Sequence, residues 1–311
     1  MSSGLMGAGV SGLMVAQRSL STASHNIANV NTDGYSRQRV DQVARDPLFM
    51  GSNYLGMGVQ VDSIKRIVND FQGLQIRNSS ASLNQAETYH SLAARVDGLF
   101  TDTTTGLLSS LQAFFDSVQG VANSPASLPE RQVMLSRGDA LAGRFHDLNG
   151  QLQTMRDEFN SQLTSTVSEV NALSQSVADI NHDILLASSV GNGQPNDLLD
   201  RRDELIRQLS EKVSTTTVLQ DDGQINVSIG NGQALVTGGE ARKLIASTST
   251  FDSSRLEVSY DTPNGATEIT GQIQGGVLGG LVGFRTQVLD PATNTLGKIA
   301  IGIASAFNAQ H

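Results

Sequence analysis

The chain has 311 residues, long enough for one to three domains and a substantial core. Thirty acidic against 21 basic side chains give a net charge of −9, which disfavours nonspecific binding to nucleic acid. No cysteine is present, so disulfides, thiolate catalysis and Cys-ligated metal sites are excluded.

Hydrophobic residues make up 38%, and 31 glycines bring the apolar share to that of an ordinary folded protein rather than a disordered one. No apolar run reaches the ~18 residues needed to span a bilayer, so membrane insertion is not expected. Residues 1–17 are free of charge but diluted by Gly and Ser. They lack a basic n-region, so no cleaved signal peptide is expected there. Aromatic residues are 5% and Trp is absent, thin material for a small-molecule pocket.

Along residues 5–30, Met6, Gly9, Leu13, Ala16, Leu20, Ala23, Ile27 and Val30 alternate steps of three and four, the seam spacing of a coiled coil. The positions between them are Ser, Gln, Asn and Thr, and Gly is frequent at the start. Such a helix has weak intrinsic propensity and needs a partner to be stable. Asn31-Thr32-Asp33-Gly34 then marks a turn. Residues 31–64 show little periodicity beyond the alternating Val59 and Val61, and a helical pattern is expected from about Ser63. It breaks at Thr101–Thr105 and resumes through Leu107, Leu111, Phe114, Phe115 and Val118.

Ser127-Leu128-Pro129-Glu130 has the form of a capping box. After it, apolar residues recur from Leu141 through Phe145, Leu148, Leu152, Met155, Phe159, Leu163, Val167, Val170, Leu173, Val177, Ile180 and Ile184. A helix of about 60 residues, roughly 90 Å long, is predicted. Gly191–Pro195 ends it and Asp197–Leu209 starts another. From Thr215 the period changes to two. Hairpin signals stand at Asp222-Gly223 and Gly230-Asn231-Gly232, and strands are expected at Ile225–Ile229, Leu235-Val236, Leu256–Tyr260 and Ile269–Ile273. The Gly-rich stretch Gly275–Gly283 leads into a helix through Leu289, with a break at Asp290-Pro291. Leu296, Ile299, Ile303 and Phe307 form an uncapped amphipathic run, which predicts a chain that continues past His311.

Three constellations bear on chemistry. Gly7-Ala8-Gly9-Val10-Ser11-Gly12 fits GxGxxG, but no strand precedes it, and a dinucleotide site requires one. The five histidines have no metal-ligand spacing, and His146 and His182 are expected to face solvent. Asp197, Asp200 and Asp203 share one helix face, the placement of a cation site or an acid/base pair. Ion pairing with Arg201, Arg202 and Arg207 is the simpler expectation. No nucleophile, base and orienting group come together, so no catalytic residue, metal or cofactor is expected. The fold class expected is α+β, mainly α: an elongated long-helix bundle or coiled coil with a smaller β region. Its segments would be 1–62, 63–214, 215–274 and 275–311.

Ala23-Ser24-His25-Asn26-Ile27-Ala28-Asn29-Val30-Asn31-Thr32-Asp33-Gly34-Tyr35-Ser36-Arg37 resembles the N-terminal signature of bacterial flagellar rod, hook and hook-associated proteins. A further series follows in order: Phe114–Ser117, Pro125–Arg131, Val170–Leu173, Ile180-Asn181, Asn196–Asp203, Asp222-Gly223, Leu235–Gly238, Gly279–Leu281 and Ala306–His311. This series is similar to the hook-associated protein 1 family.

The resemblance implies a non-catalytic structural subunit of the hook–filament junction, exported by the flagellar type III apparatus without a cleaved leader and located outside the cell on the flagellum. It implies copies of the chain itself, hook protein, a second junction protein and an export chaperone as partners, the chaperone at a C-terminal part beyond this sequence. In the family the N-terminal helix pairs with a C-terminal heptad helix in the inner tube. Leu13, Ala16, Leu20, Ala23, Ile27 and Val30 are then the expected assembly seam, and Asn26, Asn29, Asn31, Gly34 and Tyr35 the motif turn. Other classes stay open: a rod or hook protein, a flagellum-associated hydrolase, or a coiled-coil adhesin.

Overall fold

The computed structural model describes residues 2–50, 53–101, 106–190, 193–262 and 265–310. It is 64% helix and 18% strand, an α+β protein dominated by long helices. The expected break at Thr101–Thr105 falls mostly outside the described residues, as do Gly191, Asn192 and His311.

In chain order, helix α1 (Ser2–Ala28) is followed by strands β1 (Gln38–Ala44), β2 (Leu48–Met50), β3 (Asn53–Leu55) and β4 (Val59–Arg66). Helices α2 (Asp70–Thr101), α3 (Leu107–Asn123), α4 (Leu128–Val190) and α5 (Asn196–Lys212) come next. Strands β5 (Thr215–Leu219), β6 (Ile225–Ile229), β7 (Gln233–Thr237), β8 (Glu240–Ala241), β9 (Leu244–Thr248), β10 (Leu256–Thr262) and β11 (Gly265–Glu268) precede helices α6 (Gly276–Phe284) and α7 (Asp290–Gln310). Two compact units divide the chain: residues 1–80 with 170–243, and residues 81–169 with 244–311.

The first unit contains an antiparallel ribbon of β1 and β4, the small hairpin β2–β3, and the meander β5-β6-β7-β8. Its core includes Val170, Val177, Ile180 and Ile184 of α4, Ile206 and Leu209 of α5, and Val227, Ile229, Leu235 and Val236 of the meander. Asn181 is fully buried among them and fully used. Its Nδ2 donates to the carbonyls of Ile225 and Gly238, both at 2.8 Å, and its Oδ1 accepts from Ile225 N at 3.1 Å. A buried amide with all its bonds made fixes the register of the meander on the helix.

Three strands here escape the sequence pattern. β1, β2 and β3 are short, and their apolar residues are largely exposed, so no alternation marks them. The helical pattern expected from Ser63 begins only at Asp70, because β4 runs on to Arg66, which pairs with Gln38.

The second unit holds the rest of α2 and α4 with α3, α6, α7 and the sheet β11-β10-β9. Leu141, Leu148, Leu152, Met155, Phe159, Leu163 and Val167 of α4 are all buried, the stripe that the sequence periodicity predicts. The capping box is half made. The Ser127 hydroxyl accepts from Glu130 N at 3.5 Å, but Ser127 N donates to the carbonyl of Ser124.

Two expectations fail in this unit. Ile269–Ile273 is a 3-10 turn over Thr270–Gln272 rather than a strand, since the Thr270 hydroxyl accepts from Val258 N at 2.8 Å where a strand neighbour would stand. Asp290-Pro291 is not a break either. A π-helical turn, Arg285–Leu289, joins α6 to α7, and Pro291 lies in the first turn of α7. Widening the turn beforehand accommodates the N–H that proline lacks.

The buried charge of this unit sits on that π turn. Arg285, 2% exposed, donates to Glu257 Oε2 at 2.7 Å and to the carbonyl of Leu256, and its guanidinium lies 5.3 Å from the centre of the Phe159 ring. Burial pushes the Glu257 carboxyl up, but Thr270, Arg285 and Arg255 together hold it below its ordinary value.

Candidate functional site

The expected seam lies on α1, and the helix separates two faces. Ser11, Val15 and Thr22 are buried, while Met6, Leu13, Leu20 and Ile27 are 70–74% exposed. At ~100° per residue Leu13 stands about 160° round the helix from Val15, so the exposed leucines face away from the buried side. Ala16 and Ala23 are exposed beside them, and Val30 is exposed on the turn after Ala28, where the helix has ended. The stripe is an apolar row at heptad spacing left open to solvent.

The ribbon holds the other side of α1. The Ser11 hydroxyl donates to the Ala8 carbonyl at 2.8 Å and accepts from Val59 N at 3.2 Å. Gly58 has φ +88°, and a Cβ there would come within 2.1 Å of Ser11 Oγ and 2.9 Å of Ala8 Cα. Only glycine lets the ribbon approach the helix so closely. The GxGxxG run Gly7–Gly12 lies inside helix α1 rather than at a turn from strand to helix, where a dinucleotide loop sits.

The motif turn is organised around one amide. Asn26 Nδ2 donates to Gln38 O at 2.9 Å, while its Oδ1 accepts from Gln38 N at 2.8 Å and from the Tyr35 hydroxyl at 2.7 Å. The side chain thus pairs with the start of β1 in the manner of a neighbouring strand. Asn29 Nδ2 caps the last turn of α1 by donating to the His25 carbonyl at 3.0 Å. The His25 and Tyr35 rings meet edge to face, 5.6 Å apart. Burial, and then the charges of Asp197 and Asp200, hold the Tyr35 phenol above its ordinary value, which keeps it a donor. Gly34 has φ +77°, and a Cβ there would lie 2.8 Å from Glu204 Cβ. Asn31 is exposed.

The three aspartates of α5 receive this turn. Asp200, nearly buried, accepts from Ser36 N at 3.0 Å and from Arg66 Nη1 at 2.8 Å. Arg66 also donates to Asp203 at 2.9 Å, and Gln38 Nε2 to Asp197 at 2.9 Å. Burial works against the Arg66 charge, but Asp200 and Asp203 outweigh it and raise its pKa. The local pairing expected from the sequence is therefore corrected. Arg66, 134 residues away, is the partner of Asp200. Arg207 instead pairs with Glu204 and Glu211, and Arg202 donates to the Gly223 carbonyl at 2.6 Å with Asp203 4.0 Å away. Arg66 and Glu204 were invisible as site residues, since nothing local in the sequence marks a contact across 130 positions or more.

With every aspartate committed to a donor, this cluster is a structural lock that fixes how the chain leaves α1. Among the described residues no group of three or more His, Cys, Asp or Glu is placed to hold a metal ion. His146 and His182 are exposed on α4.

Comparison with known proteins agrees with this architecture. Residues 93–311 match the flagellar hook-associated protein FlgK helical domain, and residues 6–35 match the flagella basal body rod protein family. The chain is 35% identical over 312 residues to flagellar hook-associated protein 1 of Salmonella typhimurium, covering 99% of this chain and 56% of that protein. The Escherichia coli protein of the same name is 32% identical over 312 residues, with 99% and 57% covered. The chain thus spans little more than half the length of these relatives. The flagellar hook junction protein FlgK from Burkholderia pseudomallei superposes with a TM-score of 0.69 at 32% identity, over 76% of this chain and 43% of that one. With the helical-domain match covering most of its length and relatives at about one-third identity along nearly all of it, the chain belongs to the flagellar hook-associated protein FlgK family.

Proposed function

We propose that the chain is a non-catalytic subunit of the junction between flagellar hook and filament, assembling through the stripe Leu13, Ala16, Leu20, Ala23, Ile27 and Val30 of α1 and the turn after it. The carrying observation is the exposure of Leu13, Leu20 and Ile27 on the side of α1 turned away from the ribbon. The occupant of that stripe is the C-terminal heptad helix that the family resemblance implies. Heterologous contacts between copies then build a ring or a short helical turn. The motif turn Asn26, Asn29, Asn31, Gly34 and Tyr35 sets the angle at which α1 meets the rest of the subunit. The remaining partners are hook protein, a second junction protein and an export chaperone. The subunit leaves the cell by the flagellar type III route and resides outside it on the flagellum.

Electron microscopy of cells lacking the gene, with flagellin assayed in the medium, tests this reading. Hooks without filaments and flagellin lost to the medium are expected; absent hooks would move the protein to the rod or hook. In the complete protein, Leu20→Asp should abolish assembly while circular dichroism stays near wild type, because Leu20 contributes little to the isolated fold. Normal filaments in a strain carrying that change would refute the seam.

A further inference from the structure

The sequence holds four Asn-Gly pairs, beginning at residues 149, 192, 231 and 264. Two of them have both residues described, and their surroundings are opposite. Asn149-Gly150 lies inside α4, where the N–H of Gly150 is held in the helix ladder. Asn231-Gly232 lies in the turn that joins β6 to β7 in the first unit.

Gly230, Asn231 and Gly232 are all exposed. Asn231 N donates to Gln233 Oε1 at 3.0 Å, but the Asn231 side-chain amide has no hydrogen-bond partner among the described residues. Gly230 and Gly232 flank it at φ +55° and +102°, and nothing lies within 4 Å of a Cβ built at Gly232. Glycine on both sides therefore leaves no side chain to shield the Asn231 carboxamide from the backbone nitrogen of Gly232. One bond restrains that nitrogen, its donation to Ile229 O at 3.0 Å. Opening an exposed turn costs far less than opening the interior of a long helix. The rest of the meander stays anchored meanwhile, because Asn181 holds Ile225 and Gly238 at the other end of the hairpin, and Val227, Ile229, Leu235 and Val236 are buried.

We propose that Asn231 is a site of spontaneous covalent change, converted to isoaspartate and aspartate through attack of Gly232 N on its side-chain carbonyl carbon. The bond from Gly232 N to Asn231 Cγ forms and the Cγ–Nδ2 bond breaks. The amide proton of Gly232 leaves with Nδ2 as ammonia, and a five-membered succinimide remains. Water then adds to one of the two ring carbonyls and opens it to a carboxylate. Opening on one side restores an aspartate; opening on the other routes the main chain through the side chain as isoaspartate. Water is the one co-reactant, and nothing is oxidised or reduced. Both products place a new negative charge on the turn, and isoaspartate also lengthens the main chain there by one carbon. The site is separate from the α1 seam and does not depend on it.

The test incubates the folded 311-residue chain in mildly alkaline buffer, digests it with trypsin and weighs the peptides, with isoaspartate identified by enzymatic methylation. Asn149 falls in peptide 145–156 and Asn231 in peptide 213–242, so the two pairs are read separately. Conversion of 213–242 at least about tenfold faster than that of 145–156 is expected, since only the turn opens locally. In Asn231→Ser, an exposed change, peptide 213–242 should stay unconverted. Equal rates in the two peptides would overturn the proposal, as would an unconverted 213–242 in the folded chain under conditions where the urea-unfolded chain converts there. Conversion that persists in Asn231→Ser would place the reaction at Asn226 and overturn it too.

Discussion

Two glycine-to-alanine substitutions in the second unit should act with opposite sign. In a helix interior alanine is favoured over glycine by about 0.8–1.0 kcal/mol, so propensity alone predicts stabilisation at any helical glycine. At Gly297 of α7 nothing lies within 4 Å of an added Cβ, and Gly297→Ala should realise that gain. At Gly280 of α6 the same Cβ would stand 2.7 Å from the Gln85 carbonyl oxygen and 2.7 Å from Thr88 Cβ, both on α2. Tyr89 lies beside Gly283 on the same approach. A backbone oxygen on a helix has no rotamer with which to yield, so α6 and α2 must part. Overpacking of that kind costs about 1–3 kcal/mol and rises where backbone must move. Net destabilisation of about 1–2 kcal/mol is expected for Gly280→Ala, against a gain of up to 1 kcal/mol for Gly297→Ala. Differential scanning calorimetry should show shifts of about 2–8 °C down and 2–4 °C up in the transition of this unit. If both variants are stabilised alike, the close approach of α6 to α2 is not real, and Gly280 is merely a poor helix former.

Asp200→Ala should destabilise the first unit by about 3 kcal/mol, because it strands the Ser36 N–H and leaves Arg66 with Asp203 alone; the double change with Arg66→Met should cost less than the sum of the two singles in urea denaturation. Acid stability of the second unit should depend on Glu257. Its folded pKa lies below the ordinary value, so its contribution is complete above pH ~4.3 and is lost as the pH falls through the folded value. Glu257→Gln should therefore lower stability at pH 7 and flatten the decline below pH 4, measured by calorimetry across that range. An equal slope in wild type and variant would rule Glu257 out as the titrating group.

Sequence pattern and structure agree where one residue type repeats at one spacing. The α4 stripe from Leu141 to Ile184 was legible because burying one side of a long helix requires that spacing. β1 was not, because Gln-Arg-Val-Asp-Gln-Val-Ala carries no alternation and its hydrogen bonds, not its side chains, make it a strand. Ile269 and Ile273 are buried as an alternating pair would be, yet a hydroxyl from Thr270 supplies the bond that a strand would have made. The motif turn was legible as a motif, while its mechanics were not: the double pairing of Asn26 with Gln38, and the reach of Arg66 to α5, depend on parts of the chain far apart in sequence.

The two units are interleaved along the chain, and this bears on the order in which they can form. Residues 1–80 find the rest of their core in residues 170–243, so the 89 residues of 81–169 must be synthesised between the two halves. At about 5–20 residues per second that is a wait of roughly five to twenty seconds, long compared with the microseconds in which an isolated helix forms and melts. Through that interval α1 has no completed unit behind it, and its row of leucines is open to whatever in the cell binds unfolded segments. Translation speed between Ser80 and Val170 therefore sets how long the N-terminal part of this protein stays unfolded and extended.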